Sequence, residues 1–366
     1  MSDSKNRYFM ETEIFSQPNL IDSSINNRIS FDNSTLLFPE IENSKLNVLS
    51  ISRIIFTGMG TSYNAALYGA KVMEEIAKIP SIALNASEIS SDNFFSNDEI
   101  LLVSITQSGE SSDTVEMMKK ARSNGVLQIL VSESNKSKAC NISDIYLPIN
   151  SGIEHSIAAT KTFTMSLLLL LQLSIFFAEK KSIFISRYIK EIKKIPLGLA
   201  DFINDKKVIN NIKEISKYIS NYNNIFYLGR GKLFPVVLEG SLKLKETSYI
   251  HSEGYISEEL RHGTFALLDK NIPVIICATD DENYEKNLSM IKDLVSLKSP
   301  VIAILNEGEK KLSKMTNKTL FIPKSSNISI PFFSTLVFQL LAYYVSLKLG
   351  NNPDLPRNLS KIIKNS

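Results

Sequence analysis

The sequence repeats itself, and this repetition limits the fold more than any other feature. Ile54–Gly60 reads IIFTGMG and Ile225–Gly231 reads IFYLGRG, each an apolar run ending in Gly-x-Gly before a helical pattern. Gly58 and Gly229 lie 171 residues apart. LLVSIT at 101–106 returns as VIICAT at 274–279, and QILV at 128–131 as VIAI at 301–304, each 173 residues on. Tyr146-Leu147-Pro148 returns 175 residues on as Phe321-Ile322-Pro323. Four landmarks at nearly one offset predict an internal duplication. Short apolar strands alternating with helical stretches predict that each copy is an α/β/α unit around a buried parallel sheet. The expected division is an N-terminal arm with helices over 1–44, a first domain over 45–178 and a helical linker over 179–214. A second domain over 215–350 and a tail over 351–366 complete it.

The two copies differ where a ligand would sit. After its second landmark strand the first copy reads Thr106-Gln107-Ser108-Gly109-Glu110-Ser111-Ser112, while the second reads Thr279-Asp280-Asp281-Glu282-Asn283. A hydroxyl- and glycine-rich loop that opens a helix suits an anion, because backbone N–H groups and the helix dipole face it. Gly60, Thr61 and Ser62 occupy the matching place after the first strand, so two such loops could converge on one phosphate. The alternative is simple N-capping by the same hydroxyls. A dinucleotide fingerprint fails, since Tyr63 stands where the third glycine belongs, and no Gly-Lys-Ser/Thr follows to make a P-loop.

Leu238–Asp269 is the densest chemical segment. It carries Glu239, Lys243, Glu246, His251, Glu253, Glu258, Glu259 and His262 within a helical apolar pattern. Glu239, Lys243 and Glu246 stand at i, i+4 and i+7 and share one helix face. Such a face serves proton transfer next to a carbonyl; the alternative is a solvated row of Glu–Lys pairs.

Composition closes off other classes. Lys plus Arg number 41 against 38 Asp plus Glu, which gives no basic surplus for nucleic acid. The greasy runs 163–178 and 330–349 carry internal polar residues, so core helices are expected rather than membrane spans. Cys140 and Cys277 have neither metal nor disulfide spacing, which fits a reducing cytoplasm, and the N-terminus lacks a signal-peptide core. No metal is expected, because the histidines lack ligand spacing, and no cofactor is implied.

With these residues in view, the sequence resembles the SIS (sugar isomerase) family. More narrowly, it resembles the isomerase half of glucosamine-6-phosphate synthase and the SIS-type glucosamine-6-phosphate deaminases. The similarity runs from Met10 to Lys361 and is most specific at Gly58–Asn64, Gln107–Thr114, Ala158–Thr164, Leu238–Gly263, Gln339–Val345 and PRNLSK at 356–361. The resemblance implies two tandem SIS domains with flavodoxin-like sheets. It implies that Gly60, Thr61, Ser62, Thr106, Gln107, Ser108 and Ser111 hold a sugar 6-phosphate. Glu246 would move a proton between C1 and C2, and Glu239 and Lys243 would line the site and set its protons. His262 would open the sugar ring from the other subunit of a homodimer. Lys361 would meet the ketose carbonyl, as a Schiff base, and Ala159 would line the substrate.

The sequence also departs from the synthase. Thr106 and Ala159 stand where serine is usual, and Thr264 where proline is common. The tail lacks an acidic ending, and there is no cysteine before Cys140, so glutamine hydrolysis by the synthase's own route is not expected. The run Glu154–Thr160, Arg261 before His262, and Asn352-Pro353-Asp354 lean toward the deaminases. The leading expectation is reversible conversion of glucosamine 6-phosphate into fructose 6-phosphate and ammonia. One alternative is an isomerase subunit served by a separate glutaminase. Another, of a different class, is a non-catalytic phosphosugar sensor.

Overall fold

The structure, a computed structural model, describes residues 8–94, 99–279 and 281–361. Asp280 in the acidic loop and the tail beyond Lys361 lie outside the described residues. The chain divides into two compact units. The first-repeat unit comprises Asn19–Glu154, Lys161–Lys193 and the tail from Ser360; the second-repeat unit comprises the chain up to Pro18, His155–Thr160 and Lys194–Leu359.

Helix α1 (Phe9–Arg28) opens the described chain, followed by a small hairpin of β1 (Ile29–Ser30) and β2 (Thr35–Leu36) and the short helix α2 (Pro39–Glu42). The first-repeat sheet then forms from β3 (Arg53–Gly58), β4 (Ser81–Asn85), β5 (Ile100–Thr106), β6 (Leu127–Ser132) and β7 (Ile145–Pro148), all parallel, in the order β4-β3-β5-β6-β7. Between these strands run α3 (Thr61–Val72), α4 (Ser112–Ser123) and α5 (Lys138–Ile142); α6 (Lys161–Lys180) and α7 (Ser186–Ile192) follow. Every residue of β5 is buried, as an unbroken apolar run in a doubly covered sheet requires. Ile55, Leu102 and Leu130 pack from one face of the sheet against Val115 and Met118 of α4.

The second-repeat unit adds α8 (Ile195–Asn204) and α9 (Lys206–Ile219), then β8 (Asn224–Gly229), α10 (Leu233–Ser248) and β9 (His251–Ile256). It continues with β10 (Val274–Cys277), α11 (Tyr284–Ser296), β11 (Val301–Asn306), β12 (Lys318–Ile322) and α12 (Ile330–Lys348). This sheet is also parallel and runs β12-β11-β10-β8-β9. Counted within each copy, both sheets have the order 2-1-3-4-5, the flavodoxin-like arrangement. The duplication extends to single atoms. A Cβ on Gly58 would stand 2.8 Å from the Ser62 carbonyl carbon, and one on Gly229 2.8 Å from the Leu233 carbonyl oxygen. In each copy glycine lets the first turn of the following helix close onto the strand end.

The two greasy runs are α6 and α12. Both are long and apolar enough to cross a membrane, yet 94% and 89% of their apolar windows are buried within the protein. In the second-repeat unit α12 packs against α10 and α9. Asp354 caps α1 from a distance in sequence: its carboxylate accepts from the backbone N–H of Phe9 and of Met10, both at 2.8 Å.

One expectation needs correction. Leu238–Asp269 carries a helical apolar pattern, but the helix ends at Ser248, where Tyr249 adopts φ 63°. His251–Ile256 then forms the edge strand β9. Alternate residues of a half-covered edge strand fit a helical period over so few positions, so periodicity alone does not separate the two.

Candidate functional site

In the first-repeat unit the loops after β3 and β5 leave neighbouring strand ends at the point where the strand order reverses, the usual ligand position in such sheets. After β3 the chain turns through Gly60 at φ 53° into α3, placing Thr61 and Ser62 in its first turn, both half-buried. After β5 the buried Thr106 accepts from the Gly109 N–H at 3.2 Å, and Ser108 Oγ accepts from the Glu110 N–H at 3.2 Å. Gly109 sits at φ 70°, and a Cβ there would come within 2.1 Å of Ser137 Oγ, so only glycine fits this turn. Ser111 is the residue before α4 and makes no side-chain capping bond.

The one carboxylate inside this loop is turned aside. Glu110 accepts from the Lys138 N–H at 2.9 Å and pairs with the Lys138 ammonium at 3.2 Å. The Lys138 backbone N–H, and then its side chain, hold the exposed Glu110 carboxyl below the usual carboxylate range. The loop thus presents hydroxyls and an amide with its own negative charge already engaged.

Gln107 does not point alone. Its Nε2 donates to Glu154 Oε2 at 3.0 Å and to Thr162 Oγ1 at 3.0 Å. Glu154 also accepts from the Thr162 N–H at 3.2 Å and from Lys361 Nζ at 2.8 Å. The tail lysine is therefore brought to the carboxylate that also holds Gln107 of the loop after β5. Glu154 belongs to the candidate site, and sequence reasoning missed that role: it noted this glutamate only as part of a run, and its partner Lys361 lies 207 positions away.

In the second-repeat unit the shared helix face is real. Lys243 Nζ lies 2.6 Å from Glu246 Oε2 and 3.3 Å from Glu239 Oε1. Lys243 and Glu239 are buried, their side chains 1% and 3% exposed, while Glu246 keeps 19%. Burial alone would lower the Lys243 pKa, but attraction from Glu239 and Glu246 outweighs it and holds the group above the ordinary lysine range. The row of Glu–Lys pairs is thus not a solvated face. A fixed positive charge sits between two carboxylates, one of which reaches the surface.

Beyond β9, residues 259–261 form a single 3₁₀ turn that presents His262, which is exposed. The turn is tied down by charges that spacing did not single out. Glu258 pairs with both Arg230 and Arg261. Arg261 donates to Asp293 of α11 from Nε at 3.0 Å and Nη2 at 2.6 Å, and Arg230 Nε donates to Asn287 at 3.2 Å. His251 is not part of this group. It pairs opposite Asn224 at the amino end of β8, the opposite edge from the switch point, and meets Glu253 at 3.2 Å. Ala159 is half-buried in the 155–160 segment counted with this unit.

A duplicated parallel sheet in flavodoxin order, with hydroxyl-rich loops at one switch point, defines a protein of the doubly wound α/β class. The chain belongs to the SIS-domain family: the SIS domain model matches residues 49–175 and 218–349. It is 34% identical over 368 residues to the glutamine–fructose-6-phosphate aminotransferase (isomerizing) of Chlorobaculum tepidum, covering 97% of this chain and 58% of that protein. The chain thus spans less than two thirds of the curated relatives it matches. Among solved structures it resembles the C-terminal domain of glucosamine-fructose-6-phosphate aminotransferase from Francisella tularensis, with a TM-score of 0.86 and 30% identity over 97% of this chain and all of that one. The glucosamine-6-phosphate deaminase of Thermotoga maritima, at 24% identity over 97% of this chain and 99% of that one, shares the fold with a TM-score of 0.74.

Proposed function

We propose that the protein is a phosphosugar isomerase that converts glucosamine 6-phosphate and water into fructose 6-phosphate and ammonia, and runs the reverse with free ammonia. The observation that carries this reading is the Glu239–Lys243–Glu246 row: a carboxylate that reaches the surface, held beside a buried ammonium. A carboxylate so placed suits removal of a proton α to a carbonyl or imine.

In this reading Gly60, Thr61, Ser62, Thr106, Gln107, Ser108 and Ser111 hold the 6-phosphate. His262 moves the proton that opens the ring; its exposure suits a side chain handed to a second copy in a homodimer. Glu246 takes the C2 proton of the open amino aldose and returns it to C1 through an enediol-like enolamine. The product is an imine at C2, which water hydrolyses to the ketone with loss of ammonia. In the reverse direction Lys361 adds to the ketose carbonyl, losing water to form an imine that ammonia displaces. Lys243 and Glu239 fix the charge beside Glu246, and Ala159 lines the sugar.

A second reading is favoured by one observation. The curated relatives are aminotransferases, of which this chain spans 58% in the case above. In that reading the same isomerase chemistry receives ammonia from a separate glutaminase. The test is ammonia and fructose 6-phosphate release from glucosamine 6-phosphate by the purified protein, beside the Glu246→Gln variant. Equal release of both products, abolished in the variant while sugar-phosphate binding persists, supports the proposal. Full activity in the variant overturns Glu246 as base. Binding of phosphosugar without turnover in either direction points instead to a sensor.

A further inference from the structure

We infer that Glu154 is a positioning residue that couples the phosphate loop to the tail lysine. Its side chain is fully buried, so its charge must be met by donors. One oxygen, Oε2, accepts both from Gln107 Nε2 at 3.0 Å and from Lys361 Nζ at 2.8 Å. The other, Oε1, accepts from the Thr162 N–H at 3.2 Å, at the start of α6. Thr162 Oγ1 in turn receives the Gln107 amide and lies 3.2 Å from Ser151 Oγ, which donates to Glu133 at 3.0 Å. The carboxylate is thus fixed from below and shared above.

Sharing one acceptor atom links the two donors thermodynamically. An anion that draws the Gln107 amide off Oε2 leaves that oxygen to Lys361 and tightens its hold on the tail. By the same linkage, removing the ammonium changes how firmly Oε2 retains Gln107, and therefore how readily Gln107 serves an anion. Glu154 makes phosphate occupancy and lysine placement one event. The inference deepens the function proposed above, because it takes Gln107 as a phosphate ligand and Lys361 as the lysine that meets the carbonyl.

The test is a double-mutant cycle on the affinity of the full chain for inorganic phosphate, read by calorimetry. Lys361→Met is expected to shift Kd by about threefold or more in the wild-type background, the low end of couplings between residues with a shared partner. The shift is expected to vanish in the Glu154→Gln background. An equal shift in both backgrounds means that Lys361 acts on the anion directly, and it overturns the inference. No shift in the wild-type background overturns it as well. If Glu154→Gln does not fold, Gln107→Met serves as the second background with the same expectation. Failure of the wild type to bind phosphate at all removes the phosphate-loop reading itself, and the coupling with it.

Discussion

Replacing Lys243 with methionine preserves most of the side chain's length and removes its charge. Glu239, 3% exposed, then has no ammonium at 3.3 Å, while Glu246 keeps its contact with solvent. Stripping one partner from a buried ion pair costs about 3–5 kcal/mol, because the remaining charge is stranded. For a unit of roughly this size each kcal/mol lowers Tm by about 2–4 °C, so the drop should be on the order of 10 °C. The penalty should depend on pH. In the wild type the folded Lys243 pKa lies above the unfolded value, so its contribution is fully present below about pH 10 and is lost only as pH climbs through the folded value. It therefore changes nothing between about pH 5 and 8. In the variant the buried Glu239, without this ammonium, should have its folded pKa raised, so the folded form gains protons as pH falls. The defect should be largest near pH 8 and shrink toward about pH 5. Calorimetric or circular-dichroism melts of both proteins across that range decide it. A loss under about 1 kcal/mol, or a loss equal at both ends, would refute the argument that the cluster is buried and charge-balanced.

Gly109→Ala forces a side chain into a left-handed turn and onto Ser137 Oγ, so it should cost about 1–3 kcal/mol of stability and weaken inorganic-phosphate binding; unchanged melts and affinity would show that the loop is not built as described. Arg261→Leu removes the hold of the His262 turn on Asp293 and leaves Glu258 with Arg230 alone of its two arginines, so amide exchange across 258–264 should rise severalfold by mass spectrometry while exchange in β5 stays put. Cys277 is buried and its thiol is pushed up to about 12 by that burial, against a smaller opposing effect from Ser334, so at pH 8 a thiol reagent should modify half-buried Cys140 and spare Cys277 in the native protein. Labelling of both at equal rates would contradict the packing around β10.

Glu239, Lys243 and Glu246 were legible because a helix converts spacing directly into adjacency, and the ion pairs follow from the i,i+4 and i,i+3 spacings. His262 was singled out with them, yet what holds it was not. Arg230, Glu258 and Asp293 come from the end of β8, the turn after β9 and α11, and no local period announces that they meet. Glu154 was visible only as one glutamate in a run, since its meaning depends on Gln107 and Lys361 arriving at the same oxygen. The edge strand β9 was hidden for a related reason: six residues are too few for an alternating pattern to stand apart from a helical one.

What the sequence alone determined is whatever repeats or is local. Landmarks returning after 171 to 175 residues required two copies of one α/β unit, because the same order of strands, turns and helices has the same low-energy arrangement twice. Glycine at Gly58 and Gly229 marked the ends of β3 and β8, and the hydroxyls after β3 and β5 marked the loops proposed to hold a ligand. Only the tertiary structure decided which distant charges share a carboxylate, which histidine lies at the amino edge of its sheet, and which face of the Glu–Lys row is dry. Those depend on burial and on long-range pairing, whose energies come from desolvation and are set by the path of the whole chain rather than by spacing along it.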